Sequence, residues 1–171
     1  MAAFMLSEAM GGAIVPPTVL RDGPFGEGAV QAWLDTDPDV DVVQLVIGAD
    51  PRLRPMCVFD LVANNADRKG GHILPLLDGT LRGVDHGICF AIEPKLRTIL
   101  WAWRGEEFDE SEKDVLQRVA AGLEGDLGRA LGELLTRDEV RATQDRVAAL
   151  LRSGRFPEPD PSRPALPWPP F

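Results

Sequence analysis

The feature that most constrains this chain is the dipeptide Asp78-Gly79, set between the apolar-rich runs 72–77 and 80–85. Asp-Gly between two such runs is the strongest short hairpin signal, because both residues tolerate the left-handed backbone a tight reversal needs. A two-residue turn there puts 77 opposite 80, and therefore 72 opposite 85. His72 and Asp85 are then expected on one face at the open end of the ladder, with Cβ atoms roughly 5 Å apart. Upstream, 54–65 reads as a helix in which Met56, Phe59 and Val62, spaced by three, form a buried stripe. Asn64 and Asn65 suit its end. The intervening loop, with Asp67, is thus held between a buried helix and a hairpin, the rigid support a functional loop needs. Asp67 is expected at the same end as His72 and Asp85.

The chain has 171 residues, enough for one domain with a core or for part of a larger one. A net charge of −9 argues against a nucleic-acid partner, since neutralising phosphates drives such binding. It leaves small anionic ligands open. The two cysteines, Cys57 and Cys89, lack metal-ligand spacing and point to a reduced, cytoplasmic chain. No stretch is apolar enough for a membrane span, and the N-terminus lacks the basic region of a signal peptide.

In chain order, 2–10 reads as a helix closed by Gly11-Gly12. A helix beginning at residue 2 raises the expectation that coding sequence precedes Met1. Pro16-Pro17 confine 14–20 to an edge or loop, the glycines of 23–28 turn the chain, and 29–34 alternates as a strand ending near Trp33. Trp33 is a core residue or a ligand-stacking position, and 35–41 is an acidic, solvated loop. Beyond the hairpin, 91–104 interleaves Lys95, Arg97 and Arg104 with Trp101 and Trp103. This strip could meet an acidic acceptor, but the favoured reading packs the tryptophans inward and pairs the cations with neighbours such as Glu93 and Glu106. The segment 106–113 reads as acidic and exposed, followed by helices over 114–123, 126–135 and 137–153, the last opened by the capping box Thr136-x-x-Glu139. From Pro157 on, seven of fifteen residues are proline. This predicts an extended, mobile tail in which Trp168 could dock on the domain or a partner.

Asp67-Arg68, His72 five residues after Asp67, and Asp85-His86-Gly87 after the hairpin resemble the catalytic core of kinase-like phosphotransferases. The Asp-Arg opening and the Asp-x-Gly closing are similar to the phosphatidylinositol 3-/4-kinase-like group. Within it, an actinobacterial family repeats Asn-Ala-Asp-Arg-Lys-Gly-Gly-His and Asp-His-Gly-x-Cys-Phe. The resemblance implies an α+β, protein-kinase-like fold with a truncated N-lobe and hinge in 1–35, a mostly helical C-lobe in 36–155 and a Pro-rich disordered tail in 156–171. It also implies ATP and Mg²⁺ as cofactors and a hydroxyl acceptor of unknown type. Asp67 would be the base, supported by Arg68. Asp85 would hold the metal, with His72 a second candidate, and Lys69, His72 and Trp33 are nucleotide-contact candidates. Gly70-Gly71 would let the backbone approach a phosphate.

Three features depart from that pattern. Residues 1–66 contain no lysine, so the phosphate-pairing lysine of an N-lobe is absent. His72 stands where asparagine is usual, and Mg²⁺ prefers oxygen ligands. Position 86 is histidine, read as a hydrogen-bonded structural residue in preference to a ligand. Two further readings therefore stand beside the kinase: a pseudokinase-like module that binds a nucleotide or partner, and a metal-dependent phosphoesterase.

Overall fold

The computed structural model describes residues 1–12 and 14–171. Helix α1 (Ala2–Met10) stops where Gly11 takes φ 119° and the amides of Gly11 and Gly12 donate to the carbonyls of Glu8 and Ser7, the closure that glycine alone adopts without strain. Ser7, fully buried, accepts from the amides of Ile14 and Val15 and so turns the chain back over the helix. Strands β1 (Thr18–Gly23) and β2 (Gly26–Gln31) form an antiparallel hairpin, turned by the glycines of 23–28. Only Thr18 of this hairpin is buried, and Val19, Val30 and Phe25 face solvent.

Helix α2 (Val42–Ile47), capped by the Asp41 carboxylate, and the 3-10 turn Pro51–Leu53 lead into α3 (Arg54–Ala63). Every residue of α3 from Met56 to Ala63 is buried. Asn64 ends it two residues earlier than the sequence suggests, at φ 52°, a left-handed position that asparagine tolerates. Strands β3 (Ile73–Pro75) and β4 (Leu81–Gly83) follow, then α4 (Glu110–Leu123), α5 (Asp126–Leu131) and α6 (Arg137–Ser153). Helix α4 starts four residues before its apolar periodicity does. Asp109 and Glu112 form a reciprocal capping box there, and the second half of the acidic stretch that reads as exposed loop, 110–113, is the helix's first turn. The Thr136–Glu139 box opens α6 as expected.

The fold is α+β, with six α-helices and two two-stranded antiparallel sheets among the described residues. One core joins Leu6 of α1, Phe59 and Val62 of α3, Leu116 and Val119 of α4, Leu131 of α5 and Val147 of α6. Helix α1 is therefore part of the helical body, and the expected 1–35 unit is divided: its helix packs inward and its hairpin stands in solvent. Among the described residues no helix is long and apolar enough to cross a membrane.

The C-terminal segment corrects the expectation of a mobile tail. Phe156 and Pro167 are buried. The Ala165 carbonyl accepts from the Thr98 amide and the Trp101 indole, and the Pro170 carbonyl accepts from the Gly70 amide at 2.8 Å. Proline gives up its donor but keeps its carbonyl, so a proline-rich strand can still be held by a donor-rich surface. Trp168 remains 86% exposed.

Candidate active site

The hairpin reverses with one more loop residue than a two-residue turn provides. Leu76 donates to Thr80, Gly79 sits at φ 81°, and the register pairs Ile73 with Gly83 and Leu74 with Arg82. This is a three-residue loop closed by a left-handed glycine. His72 consequently lies opposite Val84, and a slip of one residue would normally send Asp85 to the other face. Asp85 adopts φ 56° instead, and its carboxylate returns to lie 3.3 Å from His72 Nε2. The expected pair forms, by a backbone twist that the alternation pattern does not encode.

His72 Nδ1 faces the Lys69 amide at 3.5 Å. An amide only donates, so Nδ1 is the accepting nitrogen in that contact, and Nε2 is the nitrogen that stands beside the Asp85 carboxylate. Each ring nitrogen thus has a polar neighbour, and His72 stands beside Asp85. Lys69 Nζ lies 3.2 Å from Asp67 Oδ2, and the Asp67 amide donates to Asn65 Oδ1. Asp67, Lys69, His72 and Asp85 thus form one continuous row along the loop.

Arg68, between two members of that row, points the other way. Its guanidinium is fully buried, binds both oxygens of the equally buried Asp60, and donates to the carbonyls of His72 and Val84. It is a positioning residue and cannot serve as a cation for a phosphate. Its Nη2 also faces His86 Nε2 at 2.8 Å. Arginine has no acceptor, so His86 Nε2 must accept. Burial first, and then the Arg68 charge, push the His86 pKa down to about 3, which keeps the ring neutral. Its edge rests on Phe59, in line with the structural reading of His86.

This inner network extends further. Asn65 donates to Asp60, Thr98 Oγ1 donates to Asp60 Oδ2, and Arg68 bridges to Thr98 in parallel register. Asn64 holds the carbonyls of Ala91 and Glu93 and the Lys95 amide. Arg146 of α6 donates to the carbonyls of Val62 and Ala91, and burial lowers its pKa to about 10. A cation at the C-terminal end of α3 is favoured by that helix's dipole. Sequence reasoning missed Asp60 and Arg146. Asp60 did leave a signal, as a lone carboxylate among Val58, Phe59, Leu61 and Val62.

Asp85, His86 and Gly87 line a cleft of about 530 Å³ whose other walls are the start of α1 and Thr18, Ala29 and Gln31 of the hairpin. That volume suits a small-molecule ligand. Trp33, 91% exposed, lies outside this cleft, on a neighbouring cavity with Leu74 and Val84. Gln31 borders both. Cys89 also lines the cleft, and burial holds its thiol up at about 12, which disfavours the thiolate that a nucleophile needs. Among the described residues, no three His, Cys, Asp or Glu side chains converge as a metal cage.

No family model matches the sequence. The chain is 37% identical over 206 aligned residues to Protein Rv2133c of Mycobacterium tuberculosis, an alignment covering all of this chain and 74% of the mycobacterial protein. The chain belongs to the Rv2133c family. For this family member, the row 67–72 and the cleft beside Asp85 define the candidate site.

Proposed function

We propose that the protein is a kinase-like phosphotransferase of the phosphatidylinositol 3-/4-kinase-like type, moving the γ-phosphate of ATP to a hydroxyl acceptor. The observation that carries this reading is the row Asp67–Lys69–His72–Asp85, whose last member opens onto a ligand-sized cleft. Phosphoryl transfer needs positioning and charge neutralisation more than covalent chemistry, and the row offers both. Asp67 orients the acceptor hydroxyl and takes its proton. Lys69, held beside it, balances charge on the transferring group. His72 Nε2, 3.3 Å from the Asp85 carboxylate, stands where it can steady that group.

Mg²⁺ belongs to this reading, and Asp85 is the residue that would hold it. Mg²⁺ is commonly bound through one or two carboxylates together with substrate phosphates, and the half-exposed Asp85 carboxylate suits that use. When bound, the ion would neutralise charge on the phosphates. Gly70 is not free for them, since its amide is taken by Pro170. Gly71 is open, with nothing near where a side chain would stand.

Replacing Asp67 by Asn should lower ATP-dependent transfer by about 10²–10⁴-fold with the melting temperature unchanged. Undiminished transfer in that variant would end the reading. The lack of any lysine in 1–66 favours a second reading, a pseudokinase-like module that binds nucleotide without transferring phosphate. Stabilisation by ATP, with no transfer in either protein, selects it.

A further inference from the structure

Three cations meet at one place in this acidic chain. Lys95 and Arg97 from the segment after the hairpin, and Arg163 from the C-terminal segment, line a cavity of about 360 Å³ whose remaining walls are Ala66, Ile88, Leu96 and Pro164. Ala66 directly precedes Asp67. Arg97 has no carboxylate within salt-bridge distance among the described residues, and its Nε donates to the Ala66 carbonyl at 2.7 Å. Lys95 and Arg163 have only loose, exposed partners, Glu93 at 3.7 Å and Asp160 at 3.6 Å. Such pairs are worth little and are readily exchanged. The cavity survives because the C-terminal segment is pinned on either side of it: Arg163 donates to the Pro94 carbonyl, and Ala165 receives Thr98 and Trp101.

We propose that this cavity is a phosphate-binding pocket which the C-terminal segment completes, with Arg163 as the cation it contributes. The ligand class is a molecule carrying a phosphate ester. Three donors around a pocket of this size match the oxygens of one phosphate, and arginine offers the fork geometry that suits them. With the wall at Ala66, such a ligand would lie beside Asp67. The assignment of the pocket to the acceptor rests on the phosphotransferase reading; phosphate binding itself does not.

The test is a titration of the full chain with inorganic phosphate in the absence of nucleotide, read at the Trp101 indole N–H resonance. Its bond to Ala165 places it beside the pocket. Saturable movement of that resonance is expected, with binding at least about tenfold weaker in the double variant Lys95→Gln/Arg163→Gln. Because Arg163→Gln gives up the bond to the Pro94 carbonyl, the single variant Lys95→Gln, which leaves that bond in place, should weaken phosphate binding as well. No saturable movement in the parent, or equal binding by the double variant, overturns the proposal. Phosphate binding without transfer would end the phosphotransferase reading and leave the pocket standing. Sedimentation with vesicles of equal parts phosphatidylcholine and phosphatidylserine separates the sources. Co-sedimentation of the parent but not of the double variant assigns a lipid headgroup, and no co-sedimentation assigns a soluble phosphate ester.

Discussion

Two sets of side chains leave the same short loop in opposite directions. Arg68 enters a sealed network with Asp60, Asn65, Thr98 and His86, whereas Asp67, Lys69 and His72 form an open row with Asp85. The inner set has no exposed charge to offer a ligand, whereas the outer set runs from the mostly covered Asp67, Lys69 and His72 to the exposed Asp85 carboxylate. A loop that must hold reactive groups at fixed positions gains from this division, because the buried pair fixes the backbone from which the outer groups project. The comparison also separates what each half should do when altered.

The largest effect is expected inside. Arg68→Met leaves the buried Asp60 carboxylate without its cation, with only Asn65 and Thr98 donating to it, and should cost about 3–5 kcal/mol in chemical denaturation, while Arg68→Met combined with Asp60→Leu should recover much of it. A loss below about 1 kcal/mol would break the distinction between the two sets. Next is the pH response. The unfolded chain takes a proton on His86 near pH 6.5, and the folded protein does not until about 3. The stability it contributes is therefore complete above pH 6.5 and drains as pH falls through that window, by at most about 1.4 kcal/mol per pH unit. His86→Gln, which keeps an acceptor for Arg68, should flatten the curve between pH 6.5 and 5, above the range where most carboxylates titrate.

Smaller again is the contact between loop and C-terminal segment. The Phe171 ring lies so close to Gly70 that any side chain there would collide with it. Gly70→Ala should release the end of the segment, seen as faster limited proteolysis after residue 163, with about 1 kcal/mol lost. The smallest effect belongs to the outer row. Asp67→Asn and Asp85→Asn should each change stability by less than about 1 kcal/mol, whatever they do to transfer. A large loss from either would show that the row also supports the fold.

Much of the frame was legible in the residues. The stripe Met56–Phe59–Val62, the Gly11 stop and the Thr136 box are local signals with local causes, and the structure has each where the pattern places it. The errors share a cause. The start of α4 was hidden because capping residues read like a solvated acidic loop until a helix follows them. The hairpin was recognised but its register was not, because a Gly in the third loop position and a two-residue turn look the same in sequence. The C-terminal segment looked mobile because its composition describes the chain's intrinsic freedom, not the donors waiting on the surface it meets.

The sequence by itself determined the helices, the presence of the hairpin and the residues from which a site could be made. Periodicity, caps and turn residues act within a few positions of themselves. Tertiary structure alone decided that Arg68 turns inward while its neighbours turn out, that Asp85 reaches His72 through a left-handed backbone, and that a proline-rich segment supplies a wall of the cavity at Ala66. Each of these depends on what lies opposite a residue in space, and for a charged group that neighbour, a buried carboxylate or open water, decides which way it points.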